Sequence, residues 1–269
     1  MTLKEIKKEI EVALYIIKTN FHNESELRGA FLLQIIGMFL NNFAFVLVWI
    51  FFFRAFGSIN HWSTNETIAL QGFIALVFGF CFAFGGGVRT LPRKIYNGSF
   101  DNFLLTPRSL YLRIATSGMD TSAFGDIIFG FALMVLYVIL AHLSVLQVFL
   151  LATLTIPAAL IFYNVAFLAH MIGFVLPDSE RLSGSMFEMF FSPSMYPAAL
   201  YQGVMRFIFF FGIPALAIGG VPVEVVRDVN PTWYVLIWAV AIAWTVIANI
   251  VLARMVRSYE SGNLIGSRE

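Results

Sequence analysis

Long runs of apolar residues, separated by short polar segments, dominate the chain. Six such regions cover residues 30–53, 68–88, 122–142, 145–176, 182–223 and 231–253. A helix needs about 20 apolar residues to cross the hydrocarbon core of a bilayer, and each region reaches that length. Barrel strands, by contrast, alternate apolar and polar residues over about 10 positions. The pattern therefore predicts an all-α integral membrane protein with six transmembrane helices.

The fifth region differs from the others because four prolines interrupt it. It is 42 residues long and contains Pro193, Pro197, Pro214 and Pro222, whereas one crossing uses about half of that length. Non-helical backbone is tolerated at membrane depth only where it is buried in protein or lines a wet cavity. We expect one half of the region to cross the membrane and the other half to form a broken, re-entrant element. The sequence leaves open which half crosses.

A different periodicity marks residues 1–29. Apolar residues recur there at helical spacing, and lysines and glutamates fill the other face. The apolar stripe consists of Leu3, Ile6, Ile10, Leu14, Ile17 and Phe21. This pattern predicts an amphipathic helix that lies in the membrane interface. An ordinary surface helix packed on protein is the alternative.

The basic residues between the apolar regions indicate an orientation. If the N-terminus is cytoplasmic and the regions alternate, fourteen Lys and Arg residues fall in the cytoplasm and only Arg54 and Arg227 fall outside. Cytoplasmic segments of membrane proteins carry such an excess of basic residues. We therefore predict a multi-pass protein whose two termini are both cytoplasmic.

Composition agrees with a membrane protein and offers no catalytic centre. Hydrophobic residues make up 59% of the chain and charged residues only 12%, against about 25% charged residues in a soluble domain. A net charge of +1 gives no sign of a nucleic-acid partner. No lysine follows a glycine, so the phosphate-binding loop is missing, and the four histidines lack metal-ligand spacing. We expect no catalytic residue, no metal and no cofactor bound by this chain.

Polar side chains inside the apolar regions are costly in lipid and therefore point to function. Six of them are candidates for a substrate path: Gln34, Asn41, Asp126, Asn164, Glu188 and Arg206. Glu188 and Arg206 can pair across the fifth region, and Asp126, near the cytoplasmic end of its region, can reach water. Hydrogen bonding between helices is the alternative role for these residues.

The largest predicted cytoplasmic loop, residues 89–121, carries a turn signal at Asn97–Gly98. Ser99 can cap a short helix after this turn, with Asp101 in its first turn, and Pro107 ends the helix. The loop would then expose the apolar side chains Phe100, Phe103, Leu104 and Leu105. Such a patch is typical of a docking surface. A helix packed under the bundle fits the spacing equally well.

Three stretches of the chain resemble those of type-2 ABC exporter permeases, in the six-span bacterial branch of viologen-exporter-like and uncharacterised ABC permeases. They are the loop sequence from Gly98 to Pro107, the stretch from Tyr196–Pro197 through Arg206 to Pro214 and Pro222, and the tail Tyr259-Glu260-Ser261-Gly262. The loop departs from the family pattern at Thr106. An Arg commonly occupies that position, and the basic residue here is Arg108.

The resemblance implies a single permease domain over residues 1–269, in the bacterial cytoplasmic membrane. A second permease subunit, identical or related, would pair with it, and a cytoplasmic ABC ATPase carrying ATP and Mg²⁺ would dock below. The coupling loop would comprise Gly98, Ser99, Phe100, Asp101, Phe103, Leu104, Leu105, Pro107 and Arg108. The Phe-rich apolar regions suggest an apolar or amphiphilic cargo. A lipid-modifying membrane enzyme or assembly factor, and a secondary carrier, are the alternatives.

The orientation can be tested with single cysteines at Ser58 and Ser109, which the alternation puts on opposite sides of the membrane. An impermeant thiol reagent added outside intact cells should label the cysteine at Ser58 and spare the one at Ser109. Inverted vesicles should give the opposite result, and the unsubstituted chain, with Cys81 only, measures the background. Labelling of both sites from one side would contradict the prediction.

Overall fold

The computed structural model of the chain describes residues 3–59 and 62–260. Within these residues the chain is helical, and its β-structure is limited to one antiparallel bridge between Ile59 and Trp62. The α-helices are, in chain order, α1 (Leu3–Ser25), α2 (Arg28–Phe56), α3 (Thr64–Gly85), α4 (Leu91–Tyr96), α5 (Asp101–Leu104), α6 (Leu110–Thr116), α7 (Ala123–Leu140), α8 (Val145–His170), α9 (Glu180–Phe191), α10 (Val204–Phe207), α11 (Ala215–Ile218), α12 (Gly220–Asp228) and α13 (Pro231–Arg257). Short 3₁₀ or π turns join several of them: Gly86–Thr90, Met171–Phe174, Ser192–Met195, Ala198–Leu200 and Ile208–Gly212.

Five helical segments in the described part are long and apolar enough to cross a membrane: Arg28–Phe56, Thr64–Tyr96, Ala123–Leu140, Val145–Phe174 and Pro231–Arg257. They coincide with five of the six predicted apolar regions. The remaining region, 182–223, is divided among short helices and turns. The prediction of an all-α integral membrane protein with an N-terminal helix is confirmed.

The helix α3 forms the centre of the bundle and is mostly buried, whereas α2 lies at the periphery and is mostly exposed. Glycines let α3 and α7 approach closely. A methyl group added at Gly130 would lie 2.5 Å from the backbone nitrogen of Leu76, and one added at Gly79 would lie 2.8 Å from that of Ile127. Small residues at such contacts are the usual means of packing helices in lipid.

The predicted cytoplasmic segments contact one another at one end of the bundle, called here the basic end. Asn20 of α1 donates to the carbonyl oxygen of Thr116 at 2.8 Å, and Arg93 of α4 binds both carboxylate oxygens of Glu180 at 2.8 and 2.9 Å. The predicted outer segments meet at the opposite end. There Gln147 donates to the carbonyl oxygen of Val226 at 3.0 Å.

The interrupted region crosses the bundle with its first half. It starts at Glu180, at the basic end, and the carbonyl oxygen of Met195 then accepts a hydrogen bond from Gln71 at 2.9 Å. Gln71 lies seven residues after Thr64, the first residue of α3. It is therefore about 10 Å from the end of α3 that lies opposite to the basic end. Arg206 reaches that end, where it pairs with Glu224.

The second half of the region returns into the bundle. A methyl group added at Gly219 would lie 2.7 Å from the carbonyl oxygen of Ser194, so the chain comes back to the depth of Ser194 before α12 leads outward. Pro214 and Pro222 flank this reversal, and neither can donate a backbone hydrogen bond. The second half therefore folds back into the bundle, which favours it as the re-entrant element.

The N-terminal helix α1 is attached to the bundle by its last turns. Phe21 packs edge-on against Phe31 and Phe124, with ring centroids 5.7 and 5.6 Å away. Farther from this attachment, Ile10 and Leu14 are 51% and 59% exposed. The side chains of Leu3 and Ile6, also in the predicted stripe, lie outside the described residues. An apolar stripe left uncovered by the chain's own helices favours contact with lipid.

Replacing Ile10 and Leu14 by Glu in a peptide of residues 1–25 should abolish most of its binding to liposomes. Each apolar side chain of this size contributes about 1.5–3 kcal/mol when it is buried. The matched control replaces Thr19 and Asn23 by Glu, which adds the same two charges nine residues farther along, on the opposite face of the helix. Equal binding by both variants would show that the stripe is not the membrane-binding face.

Candidate functional site

The loop between α3 and α7 folds around a tight turn. Gly98 adopts a φ of 75°, a left-handed conformation that glycine adopts without strain. The side-chain oxygen of Asn97 accepts hydrogen bonds from the backbone nitrogen and the hydroxyl of Ser99 at 3.1 and 2.7 Å. Ser99 was expected to cap the next helix. That prediction is wrong, because the Ser99 hydroxyl is engaged by Asn97 and the N-cap position of α5 is Phe100, which makes no side-chain cap.

Phe100 is fully buried, in contrast to the exposed position expected from the sequence. Its ring packs edge-on against Phe174, at the end of α8, and Tyr259, after α13, with centroid distances of 5.1 and 4.9 Å. Edge-to-face aromatic pairs of this kind are favourable beyond the area they bury. Phe100 therefore anchors the loop to the bundle and does not belong to an exposed surface.

Phe103 is half-buried, and its ring contacts two cationic side chains. The ammonium group of Lys94 and the guanidinium group of Arg113 lie 5.4 and 5.3 Å from the centre of its ring. Arg113 also donates to the carbonyl oxygens of Phe103 and Asn102, the latter at 3.1 Å. These two carbonyls belong to the last turn of α5, so Arg113 fixes the C-terminal end of this helix.

The exposed tip of the loop comprises residues 104–108. Leu104 is 44% exposed and Leu105 is 78% exposed, and Pro107 and Arg108 are exposed beside them. The sequence allowed either a docking surface or a helix packed under the bundle. The structure divides the loop between the two: Phe100 and Phe103 pack against the bundle, and the tip remains free of it.

A cavity of about 470 Å³ lies between α2, α3, α7 and the interrupted fifth region. It brings together three of the predicted path residues, Asn41, Asp126 and Glu188, and adds Asn42 and Gln71. Its remaining lining is apolar: Met38, Ala44, Phe45, Val46, Val48, Ile74, Ala75, Phe78, Phe129, Phe191 and Met195. A largely apolar cavity with a few convergent polar groups is typical of a small-molecule site.

Asp126 supplies a buried carboxyl group to this cavity. Its side chain is only 4% exposed, so the expectation that it reaches water is wrong. The cause is the close approach of α7 to α2: a methyl group added at Gly125 would lie 2.9 Å from the Cβ atom of Met38. One carboxylate oxygen accepts a hydrogen bond from Asn42 at 2.6 Å, and the other has no hydrogen-bond partner among the described residues.

The other three path candidates lie elsewhere. Gln34 is exposed on α2, outside the cavity lining. Asn164 is fully buried and joins three helices, since it accepts from the Tyr111 hydroxyl at 2.8 Å and donates to the Thr245 hydroxyl at 2.9 Å. Its position favours the alternative role of hydrogen bonding between helices.

Arg206 does not pair with Glu188, as the sequence suggested. Its guanidinium group binds Glu224 at 2.5 Å and lies 5.2 Å from the ring centre of Trp233. Glu224 also accepts a hydrogen bond from the indole nitrogen of Trp62 at 3.3 Å. The two predicted partners are separated because Arg206 lies at the opposite end of the bundle, whereas Glu188 faces the central cavity.

The described residues contain no group of three or more His, Cys, Asp or Glu side chains arranged to hold a metal ion. Sequence reasoning also assigned no specific role to three residues that shape the site: Asn42, which binds Asp126; Arg113, which fixes α5; and Tyr259, which contacts α5 from the tail. Tyr259 lies within a stretch that carries the family resemblance, which was the only signal for it.

These features define a multi-pass, all-α membrane protein with a largely apolar cavity that contains a few polar groups, and with a loop anchored at its basic end. Residues 39–263 match the family model described as ABC-2 family transporter protein, and the chain belongs to this family. The match spans the cavity, the loop and the interrupted region, and it confirms the resemblance to ABC-2 type permeases. No protein of curated function and no solved structure matched the chain.

Replacing Asn42 by Ala should destabilise the protein by about 1–3 kcal/mol, the cost of leaving a buried polar group without its partner. Thermal unfolding in detergent should show a Tm several degrees below that of the parent. Asn41→Ala is the matched control, because Asn41 is the exposed neighbour on the same helix. An equal loss of Tm in both variants would contradict a specific Asn42–Asp126 interaction.

Proposed function

We propose that this chain is the membrane-spanning permease subunit of an ATP-driven ABC export system. It forms the translocation path for an apolar or amphiphilic substrate and couples to a separate cytoplasmic ATPase. The observation that carries the proposal is the loop after α3: an apolar tip is exposed, while the residues immediately before it are anchored in the bundle.

The tip has the properties of a protein-docking surface. Leu104 and Leu105 project from the end that also carries Lys94, Arg93 and Arg113, the side that the excess of basic residues assigns to the cytoplasm. An exposed apolar patch with a polar rim is typical of a surface that binds a partner. A cytoplasmic ATPase of the ABC type is the partner that the family membership supports.

ATP and Mg²⁺ belong to that partner in this proposal. The chain lacks a phosphate-binding loop, so the work of nucleotide hydrolysis must reach it through contact. Closure of the ATPase subunits would push the tip, and the anchored loop would pass the displacement to the bundle. The two termini lie in the cytoplasm, and the membrane is the bacterial cytoplasmic membrane.

The cavity supports an amphiphilic cargo. Most of its wall is apolar and includes four phenylalanines, and its polar groups are Asn41, Asn42, Gln71, Asp126 and Glu188. A molecule with one apolar part and one polar part would satisfy both kinds of surface. The cavity is bounded on one side by α2, which is mostly exposed. A second permease subunit, identical or related, would close the path on that side.

Replacing Leu105 by Asp should disrupt assembly with the ATPase and stop ATP-driven transport. The change puts a charge where an apolar contact forms, and burial of an unpaired charge is costly. The measurement is pull-down of the ATPase together with cargo uptake into inverted vesicles. Phe103→Asp is a poorer probe, because it would also remove the ring that Lys94 and Arg113 hold.

Val145→Asp is the matched control, since Val145 is 88% exposed and starts α8 at the opposite end of the bundle. It adds the same charge at a site that a cytoplasmic partner does not reach, so assembly and transport should stay at the parent level. Arg108→Ala should weaken assembly only modestly, as rim charges usually do. If the Leu105 variant assembles and transports like the parent, the tip is not the coupling element.

A further inference from the structure

The last described residues of the chain return to the loop that carries the exposed tip. Beyond α13, the backbone nitrogen of Tyr259 still donates to the carbonyl oxygen of Val256 at 3.3 Å, so Tyr259 continues the end of that helix. Its side chain is half-buried and packs against the main hydrophobic core. Tyr259 is therefore held in place relative to α13.

The side chain of Tyr259 contacts the loop in two ways. Its hydroxyl donates to a carboxylate oxygen of Asp101, the first residue of α5, at 2.9 Å. Its ring packs edge-on against Phe100 at 4.9 Å and against Phe174 at 6.0 Å. These contacts join the start of α5 to the ends of α8 and α13.

The helix α5 depends on such external contacts. It has only four residues, far fewer than an isolated helix needs to be stable. Arg113 holds its C-terminal carbonyls, but Arg113 belongs to the same loop. Tyr259 is 158 residues away from Asp101 in sequence, so its contact links the loop to a different membrane-spanning helix.

We infer that Tyr259 is a positioning residue that ties the last membrane-spanning helix to the coupling loop, so that displacement of α5 also moves the basic end of α13. The inference rests on the proposed docking of an ATPase at the tip. The ring contacts locate α5, and the hydroxyl bond to Asp101 joins α5 to the end of α13. Tyr259 thereby forms part of the coupling path through its contacts with α5.

The test compares Tyr259→Phe with the parent in the complete permease–ATPase complex, reconstituted in proteoliposomes. The variant keeps the ring and removes only the hydroxyl. We expect assembly with the ATPase and ATP hydrolysis to persist, while the amount of a fluorescent amphiphilic dye transported per ATP falls by about threefold or more, the size of effect that loss of one hydrogen bond gives. Tyr234→Phe, the same change at the other end of α13, should leave this ratio at the parent value.

A double-mutant comparison separates a direct link from a general structural effect. Asp101→Ala should lower the same ratio, and adding Tyr259→Phe to it should lower the ratio no further, because Asp101→Ala has already removed the hydrogen bond that Tyr259→Phe removes. A parent-like ratio for Tyr259→Phe, additive losses in the double variant, or loss of assembly in Tyr259→Phe would each overturn the inference. If the parent complex itself shows no ATP-driven transport of any dye, the proposed function fails instead.

Discussion

Hydrocarbon offers no hydrogen-bond partner, so a polar group between the two ends of the bundle must find one inside the protein. This constraint decides which helices become neighbours. Asn164 ties α8 to α6 and α13 through the hydroxyls of Tyr111 and Thr245. Gln71 of α3 binds the carbonyl oxygen of Met195, one of the groups that a helix leaves unpaired where it ends. A chain interrupted by prolines can therefore remain at membrane depth, because a neighbouring helix supplies the bonds that its backbone lacks.

In the cavity, this pairing stays incomplete at one carboxylate. Glycines bring α7 close to both α3 and α2, and this close packing carries Asp126 inward beside Asn42. Asn42 satisfies one oxygen of the carboxylate, and the second oxygen is buried without a partner among the described residues. A buried polar group without its partner is costly to stability. In the proposed function, a cargo group able to donate a hydrogen bond would therefore bind favourably at this oxygen.

The sequence predicts the helices well because the length of an apolar run is a local property that the membrane thickness fixes. The order of the apolar regions and the interruption by prolines could therefore be seen in advance. The hydrogen-bonding and packing partners of individual side chains were harder to predict, since they depend on where elements distant in sequence meet. Arg206 binds Glu224 instead of Glu188 because the fifth region reaches the opposite end before it turns back. Phe100 is buried because Phe174 and Tyr259, from the ends of two other helices, converge on it.

If a cytoplasmic ATPase is to move the helices of a membrane bundle, the contact between them must be rigid enough to transmit a displacement. A loop with a free backbone would absorb the displacement within itself. Three features restrain the loop here. They are the turn at Gly98, the buried ring of Phe100 and the hydrogen bonds from Arg113 to the last turn of α5. These restraints act on elements that continue into α7, α8 and α13. The helices α7 and α8 pack on α3, beside the cavity. In the proposed function, a displacement at the exposed tip would therefore reach the cavity wall through packed helices, without requiring any residue to contact both.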